Sequence, residues 1–401
     1  MHRDMSTTES IHNLPEEFKD IAPYDDAQYR DKIAALVREP GFEHAVRYVL
    51  PDVDYPAFTE NLLKVTNQHE FQYNVMGPFL ELLVKTTTSG LSCDGLENYE
   101  PDRTYTFITN HRDIVLDASF LNLCFIRRKL PITQVAIGNN LLIYEWIADL
   151  VKLNRSFIVK RDVRMVEALE AARHLSAYIH YVVQRRHESV WIAQREGRAK
   201  DSSDLTQESL VKMLGLAPGE NVKENILGAS LLPVAISYEF DPNDYLKARE
   251  FLLRRRDPHF KKSQRDDLFS METGLLKFKG RVHIRLGRCI NPALEAFPEE
   301  GRLEVVRKAC QLIDTEIHSG YELFPGNYVA YDHVVEPGRF ADRYTAQDAR
   351  TFEDYINCQL DKVDITDVTD EERDFMREMM YTMYANPVKN QLAARGRAAK
   401  A

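Results

Sequence analysis

The stretch Tyr105-Thr106-Phe107-Ile108-Thr109-Asn110-His111-Arg112-Asp113-Ile114-Val115-Leu116-Asp117 decides the fold. Its first five residues are a short β-rich run that passes straight into a polar turn and then into a helical pattern. Four more such runs follow: Gln134–Ile137, Phe157–Val159, Val190–Ala193 and Leu231–Ser237. They alternate with long helical patterns. The clearest is Val163–Arg186, where Val166, Leu169, Leu175, Ile179 and Val182 fall near one helix face. Strands alternating with helices predict an α/β protein whose mostly parallel central sheet is flanked by helices. Val282–Leu286 reads as a further strand, His283 and Arg285 alternating with apolar neighbours.

Outward from this centre the period becomes helical. Residues Ala27–Lys85 repeat apolar side chains at three- and four-residue steps, broken by Pro40, Pro51, Pro56 and Pro78, and a Gly/Ser-rich connection follows at Thr86–Gly95. After Gly301 three helices are expected, over Leu303–His318, Ala346–Leu360 and Glu371–Tyr384, with a frayed tail at Gln391–Ala401. The expected division is a helical region over 1–95, an α/β domain over 96–300 and a helical region over 301–401.

The chain has 401 residues, 44% of them hydrophobic, which is enough for a full core and too ordinary for a fibrous or disordered chain. With 52 Lys and Arg against 62 Asp and Glu the net charge is −10, which argues against a nucleic-acid binder. The most apolar stretch, Leu141–Leu150, is interrupted by Glu145 and Asp149, so no membrane span is expected. Residues 1–10 lack the apolar core of a signal peptide. Five scattered cysteines without a C-x-x-C pair fit reduced thiols in the cytoplasm.

A histidine where a parallel strand ends lies on the edge where α/β proteins place their sites. Asp113 can cap the following helix, and Asp117 lies one turn further along. Either carboxylate can take the proton of one imidazole nitrogen of His111 and leave the other free as a base. The same residues also fit a turn histidine with two capping, solvated acids. His-Arg-Asp also opens the catalytic loop of protein kinases, but Ala118 stands where their Asn would be. D-F-G and the Gly-rich loop are missing too.

Three segments extend the pattern. They are Asn154-Arg155-Ser156-Phe157-Ile158-Val159-Lys160-Arg161, Val190-Trp191-Ile192-Ala193-Gln194-Arg195-Glu196-Gly197-Arg198-Ala199-Lys200, and Leu231-Leu232-Pro233-Val234-Ala235-Ile236-Ser237-Tyr238. In this order, after His111, they resemble the four blocks of the glycerolipid acyltransferase family, which includes the glycerol-3-phosphate and 1-acylglycerol-3-phosphate acyltransferases. The resemblance covers about a third of the chain. The sequence departs from the family in two places. The acid after His111 falls one residue late, at Asp117, or early, at Asp113, with Leu116 at the usual position. Gln194-Arg195 replaces the usual Phe-Pro ahead of Glu196-Gly197-Arg198.

The resemblance implies an O-acyltransferase of phospholipid biosynthesis. A fatty acyl group would pass from acyl carrier protein or coenzyme A to a hydroxyl of glycerol-3-phosphate or 1-acylglycerol-3-phosphate. His111 would be the general base, oriented by Asp117 or Asp113, with no covalent intermediate and no resident cofactor. Arg112, Lys160, Arg161, Glu196, Gly197 and Arg198 would bind the phosphorylated glycerol. Another hydroxylated lipid as acceptor, or an inactive lipid- or carrier-binding module, are the competing readings.

Local charge agrees with an anionic ligand. Residues Arg155–Lys200 hold ten Lys and Arg against five acids, and Lys247–Arg285 hold twelve against five. The second stretch, with Arg254-Arg255-Arg256 and Lys261-Lys262, reads either as a solvated helix face or as a docking face for acidic carrier protein or anionic headgroups. A cytoplasmic protein in peripheral contact with the inner face of a membrane is therefore expected. His174, His180 and His187 are poorly spaced for one metal, and no metal site is predicted.

Overall fold

The computed structural model describes residues 14–161, 164–219, 221–298 and 301–398. Seven strands form one sheet: β1 (Gly90–Asp94), β2 (Thr106–Thr109), β3 (Gln134–Gly138), β4 (Ser156–Val159), β5 (Val190–Ala193), β6 (Leu231–Tyr238) and β7 (Arg281–Leu286). Their order is β1-β7-β6-β2-β5-β3-β4, and only the β6–β7 pair is antiparallel. The protein is thus α/β with a mostly parallel sheet. All four residues of β2 and all eight of β6 are buried, so these strands require cover on both faces.

That cover places the site. The chain leaving β2 forms the helix Leu116–Arg127, whose Leu121 and Phe125 pack with Phe107 on one face of the sheet. The chain leaving β5 crosses to the other face, where Val211, Leu214 and Ile226 pack with Ile108 and Ile192. Because β2 and β5 are neighbours and diverge in this way, a crevice opens beyond their C-terminal ends.

Short helices between Tyr29 and Thr87 pack Phe42 and Phe71 against Leu153 and Trp146 of the helix Glu145–Leu153. At the other end of the chain, the helices Pro325–Val334, Ala346–Leu360 and Asp370–Ala398 cover Ala248 and Leu252 of the helix Asp244–Arg256. No described helix is long and apolar enough to cross a membrane.

The structure departs from the sequence reading at four points. The Gly/Ser-rich connection contains β1, an edge strand parallel to β7 that turns Leu91 and Cys93 toward the core. Residues 391–398 do not fray. They end the long C-terminal helix, where Ala394 is buried and buried Gln391 donates to the Tyr321 carbonyl at 2.8 Å. Residues 399–401 lie outside the described residues. The central helix runs Met165–Gln184, and the expected start at Val163 also lies outside the described residues. Of its expected apolar face, Ile179 and Val182 are buried while Val166 and Leu169 remain exposed. Finally, all three cations of the Arg254–Arg256 run are occupied within the chain, Arg254 by Glu250 of its own helix. Arg255 pairs with Glu371 and Arg256 with Glu372, both in the first turn of the C-terminal helix.

Candidate active site

His111 sits two residues beyond β2, ahead of the helix Leu116–Arg127, with its side chain largely buried. Its Nδ1 lies 2.8 Å from Asp117 Oδ2. A carboxylate only accepts, so the proton of that bond belongs to Nδ1 and Nε2 keeps its lone pair. The same Oδ2 accepts from the backbone N–H groups of Arg112 at 2.7 Å and Asp113 at 3.1 Å. Asp117 therefore fixes the turn and the ring together. The edge of Trp191 approaches the imidazole, with ring centroids 6.0 Å apart.

Asp113 has a different task. Its Oδ1 accepts from Val115 N and Leu116 N, both at 2.8 Å, and so caps the helix start. Burial and the Asp117 charge raise its pKa. Gly274 of the helix Gln264–Leu276 packs so close that a Cβ there would come within 2.9 Å of the Asp113 carboxyl carbon. Of the two acids that could orient His111, the one in contact is Asp117.

A cavity of about 740 Å³ opens at the C-terminal ends of the strands, and His111, Lys160, Arg161, Glu196, Gly197 and Arg198 all line it. Parallel register explains the gathering: β2 pairs with β5, β5 with β3 and β3 with β4, so the segments beyond them emerge on one edge. Arg161 Nη1 stands 3.7 Å from Glu196 Oε1, and the Arg161 backbone N–H donates to Asn139 Oδ1 at 2.8 Å. Lys160 is held by Asp20 at 2.6 Å, so its charge is already compensated. Gly197 adopts φ +67°, a left-handed conformation that other residues reach only at a cost. That turn sends Arg198 back into the protein, where its side chain is buried and its Nη1 has no hydrogen-bond partner among the described residues.

Arg112, expected to bind substrate, does not line the cavity. Its guanidinium is buried in an ion pair with Asp204 at 2.7 Å and lies over the Tyr321 ring. The reason is the direction of the turn, which points His111 into the crevice and its neighbour into the interior.

The lining also includes residues outside the catalytic and acceptor-binding set expected from the sequence, where Lys262 reads only as part of a solvated or docking face. Lys200, Glu250 and Lys262 carry charge, and Trp191, Ile137, Leu175 and Met213 supply apolar surface. Burial and the Arg198 charge push the pKa of Lys200 down to about 7, against the opposing pull of Glu250. Seven Lys and Arg and three acids line the cavity, which suits an anion, while the apolar part suits a hydrocarbon chain. None of the five cysteines reaches it. Among the described residues no group of three or more His, Cys, Asp or Glu side chains is placed to hold a metal ion.

Gly138 gives a test of this arrangement. A Cβ at that position would run into Asn140 Oδ1 and stand 2.7 Å from Arg161 Nε, so alanine must displace both side chains. With an unstrained backbone at φ −71°, Gly138→Ala is expected to fold normally. If the cavity takes a phosphorylated acceptor, kcat/KM for it should fall, by up to about 10²-fold for a displacement of about 1 Å. Unchanged steady-state kinetics would show that Arg161 does not position the substrate.

No protein family matches the chain, and no curated protein sequence does. Among solved structures, the crystal structure of the 1-acyl-sn-glycerophosphate acyltransferase from Thermotoga maritima is similar at 14% identity, with a TM-score of 0.36 over 70% of this chain and 94% of that one.

Proposed function

We propose that the protein is an O-acyltransferase. It would move a fatty acyl group from an acyl carrier protein or coenzyme A thioester to a hydroxyl of glycerol-3-phosphate or 1-acylglycerol-3-phosphate. The observation that carries this reading is the imidazole of His111. It is oriented through Nδ1 by Asp117 and shares one cavity with Arg161, Glu196 and Arg198.

The steps balance as a direct transfer. His111 Nε2 accepts the hydroxyl proton as the oxygen attacks the thioester carbonyl. The new C–O bond forms, the C–S bond breaks, and the departing thiolate takes the proton back from the imidazolium. Asp117 stabilises the imidazolium in between. Arg198 and Arg161 bind the acceptor phosphate, since guanidinium forks match phosphate oxygens. The role of Glu196 is to hold Arg161 and to accept from an acceptor hydroxyl. The apolar lining receives the acyl chain. The cytoplasmic face of a membrane would supply and receive such lipids, which makes peripheral contact there part of the same reading.

A direct assay decides it. Purified protein is given palmitoyl-coenzyme A or palmitoyl-acyl carrier protein with labelled glycerol-3-phosphate, 1-acylglycerol-3-phosphate or glycerol. Transfer to the phosphorylated acceptors is expected to exceed transfer to glycerol by about 10²-fold or more, and Arg198→Ala should erase most of that preference. Donor binding without transfer to any acceptor would instead mark an inactive binding module.

A further inference from the structure

Beyond the first cavity lies a second, of about 470 Å³. The two share Arg198, Lys200, Glu250 and Lys262, and His111 reaches only the first. The partition is a cluster of cations around one buried carboxylate. Lys200 Nζ lies 2.9 Å from Glu250 Oε2, Lys262 Nζ lies 3.8 Å from the same atom, and Arg254 Nη2 lies 2.9 Å from Oε1. Asp267 supplies one more negative charge, 2.8 Å from Lys262. Counting Arg198, four basic side chains meet two carboxylates, so positive charge is in excess around the partition.

The chemistry of the occupant follows from the layout. Beyond the shared residues, the charged lining of the second cavity is Lys247, Arg249, Arg265 and Lys362 with Asp266 and Asp364, and Phe260 lines it too. A small phosphorylated acceptor whose hydroxyl must reach His111 is confined to the first cavity. Only a ligand with a long arm between its reacting group and its phosphates can use both. We infer that the second cavity binds the phosphate end of the donor's phosphopantetheine arm, the Lys200–Glu250–Lys262 partition lying between donor phosphate and reacting thioester. This assignment rests on the acyl-transfer reading. The phosphopantetheine group is common to coenzyme A and to holo-acyl carrier protein. Burial first, and then the Arg198 charge, depress the pKa of Lys200, and an anion bound beside it would favour its charged form.

Calorimetric titration of the full chain tests the inference without turnover. The probes are coenzyme A, 4′-phosphopantetheine, pantetheine, inorganic phosphate and holo-acyl carrier protein. Phosphopantetheine is expected to bind at least about tenfold more tightly than pantetheine or inorganic phosphate, because both the arm and its phosphate are engaged. Arg265→Glu, on an exposed position of the helix Gln264–Leu276, should weaken phosphopantetheine and coenzyme A by about tenfold without changing the unfolding midpoint. Lys262→Ala should do the same from the partition. Holo-carrier protein binding more tightly than coenzyme A assigns the site to the carrier, and the reverse order assigns it to the nucleotide thioester. Affinities within about twofold of wild type in both variants, or equal binding of inorganic phosphate and phosphopantetheine, would overturn the inference. Acyl transfer with an unaltered donor KM in Arg265→Glu refutes the second site alone. Phosphopantetheine bound as described, with no transfer, refutes the acyl-transfer reading instead.

Discussion

Replacing His111 with alanine is expected to slow acyl transfer by about 10²–10⁴-fold, the usual worth of general-base assistance, while the unfolding midpoint stays near wild type. The stability half of this expectation comes from what the side chain touches. Its hydrogen bond is to Asp117, and the rest of its contact is with Trp191 and the cavity. The informative comparison is between the two acids. Asp117→Asn keeps the shape at a fully buried position but replaces one acceptor oxygen by a donor NH₂. The amide oxygen can stand where Oδ2 stands and keep its three hydrogen bonds, so what the ring loses is the negative charge that stabilises its imidazolium, and the rate should fall for want of that charge. Alanine at 117 would be a poorer test. It would also strip the acceptor from two backbone N–H groups, at about 1–3 kcal/mol for each donor left unpaired in the interior. Asp113→Asn should be mild. An asparagine caps the helix as well as an aspartate, and burial together with the Asp117 charge already pushes the Asp113 carboxyl toward its neutral form. Steady-state rates of the three variants, read beside their unfolding curves, separate these cases. A dead Asp113→Asn beside an active Asp117→Asn would reverse the assignment.

The same residues show where sequence reasoning stops. Strands β2, β5 and β6 stand close to where their β-rich runs placed them, because strands buried on both faces are built mainly from apolar and β-branched residues. Strand β1 carries no such run. Its half-buried alternation, in a Gly- and Ser-bearing segment, is set by pairing with β7 nearly two hundred residues later. The choice between Asp113 and Asp117 was open because one helical turn brings both within reach of His111, and only backbone geometry selects one. The Arg254–Arg256 run reads as a free basic face until the C-terminal helix supplies Glu371 and Glu372. The Glu250 hub joins Lys200 to Lys262 across segments that share no motif, so only tertiary structure brings it into view.

Arg112 carries the second large expectation, and it concerns stability. In the interior, beside a residue that lines the cavity, its guanidinium meets Asp204, with side-chain exposures of 7% and 0%. Breaking a buried pair by removing one partner costs about 3–5 kcal/mol, because the other charge stays buried and uncompensated. Arg112→Ala should fall at the lower end of that range. Asp204 keeps the Tyr321 hydroxyl, which donates to its Oδ2 at 2.7 Å, whereas Asp204→Ala would leave the guanidinium only the Ser202 hydroxyl and the charges of Asp241 and Asp117, and should cost more. The consequences spread along the chain segment Ser202–Asp204, which takes positive φ at both of those residues. It is also bound from outside: His318 lies 2.8 Å from the Asp204 carbonyl, and Asn390 of the C-terminal helix donates to Ser202 O at 3.2 Å. Because this segment continues the turn bearing Glu196, Gly197 and Arg198, loosening it should lower kcat somewhat. The KM for a phosphorylated acceptor should stay unchanged, since the Arg112 guanidinium lies outside the cavity. Chemical denaturation and acceptor kinetics on Arg112→Ala test both halves. A raised acceptor KM at wild-type stability would restore Arg112 to the substrate, and an unfolding free energy reduced by about 3 kcal/mol with KM intact would fix it as the strut beneath the site.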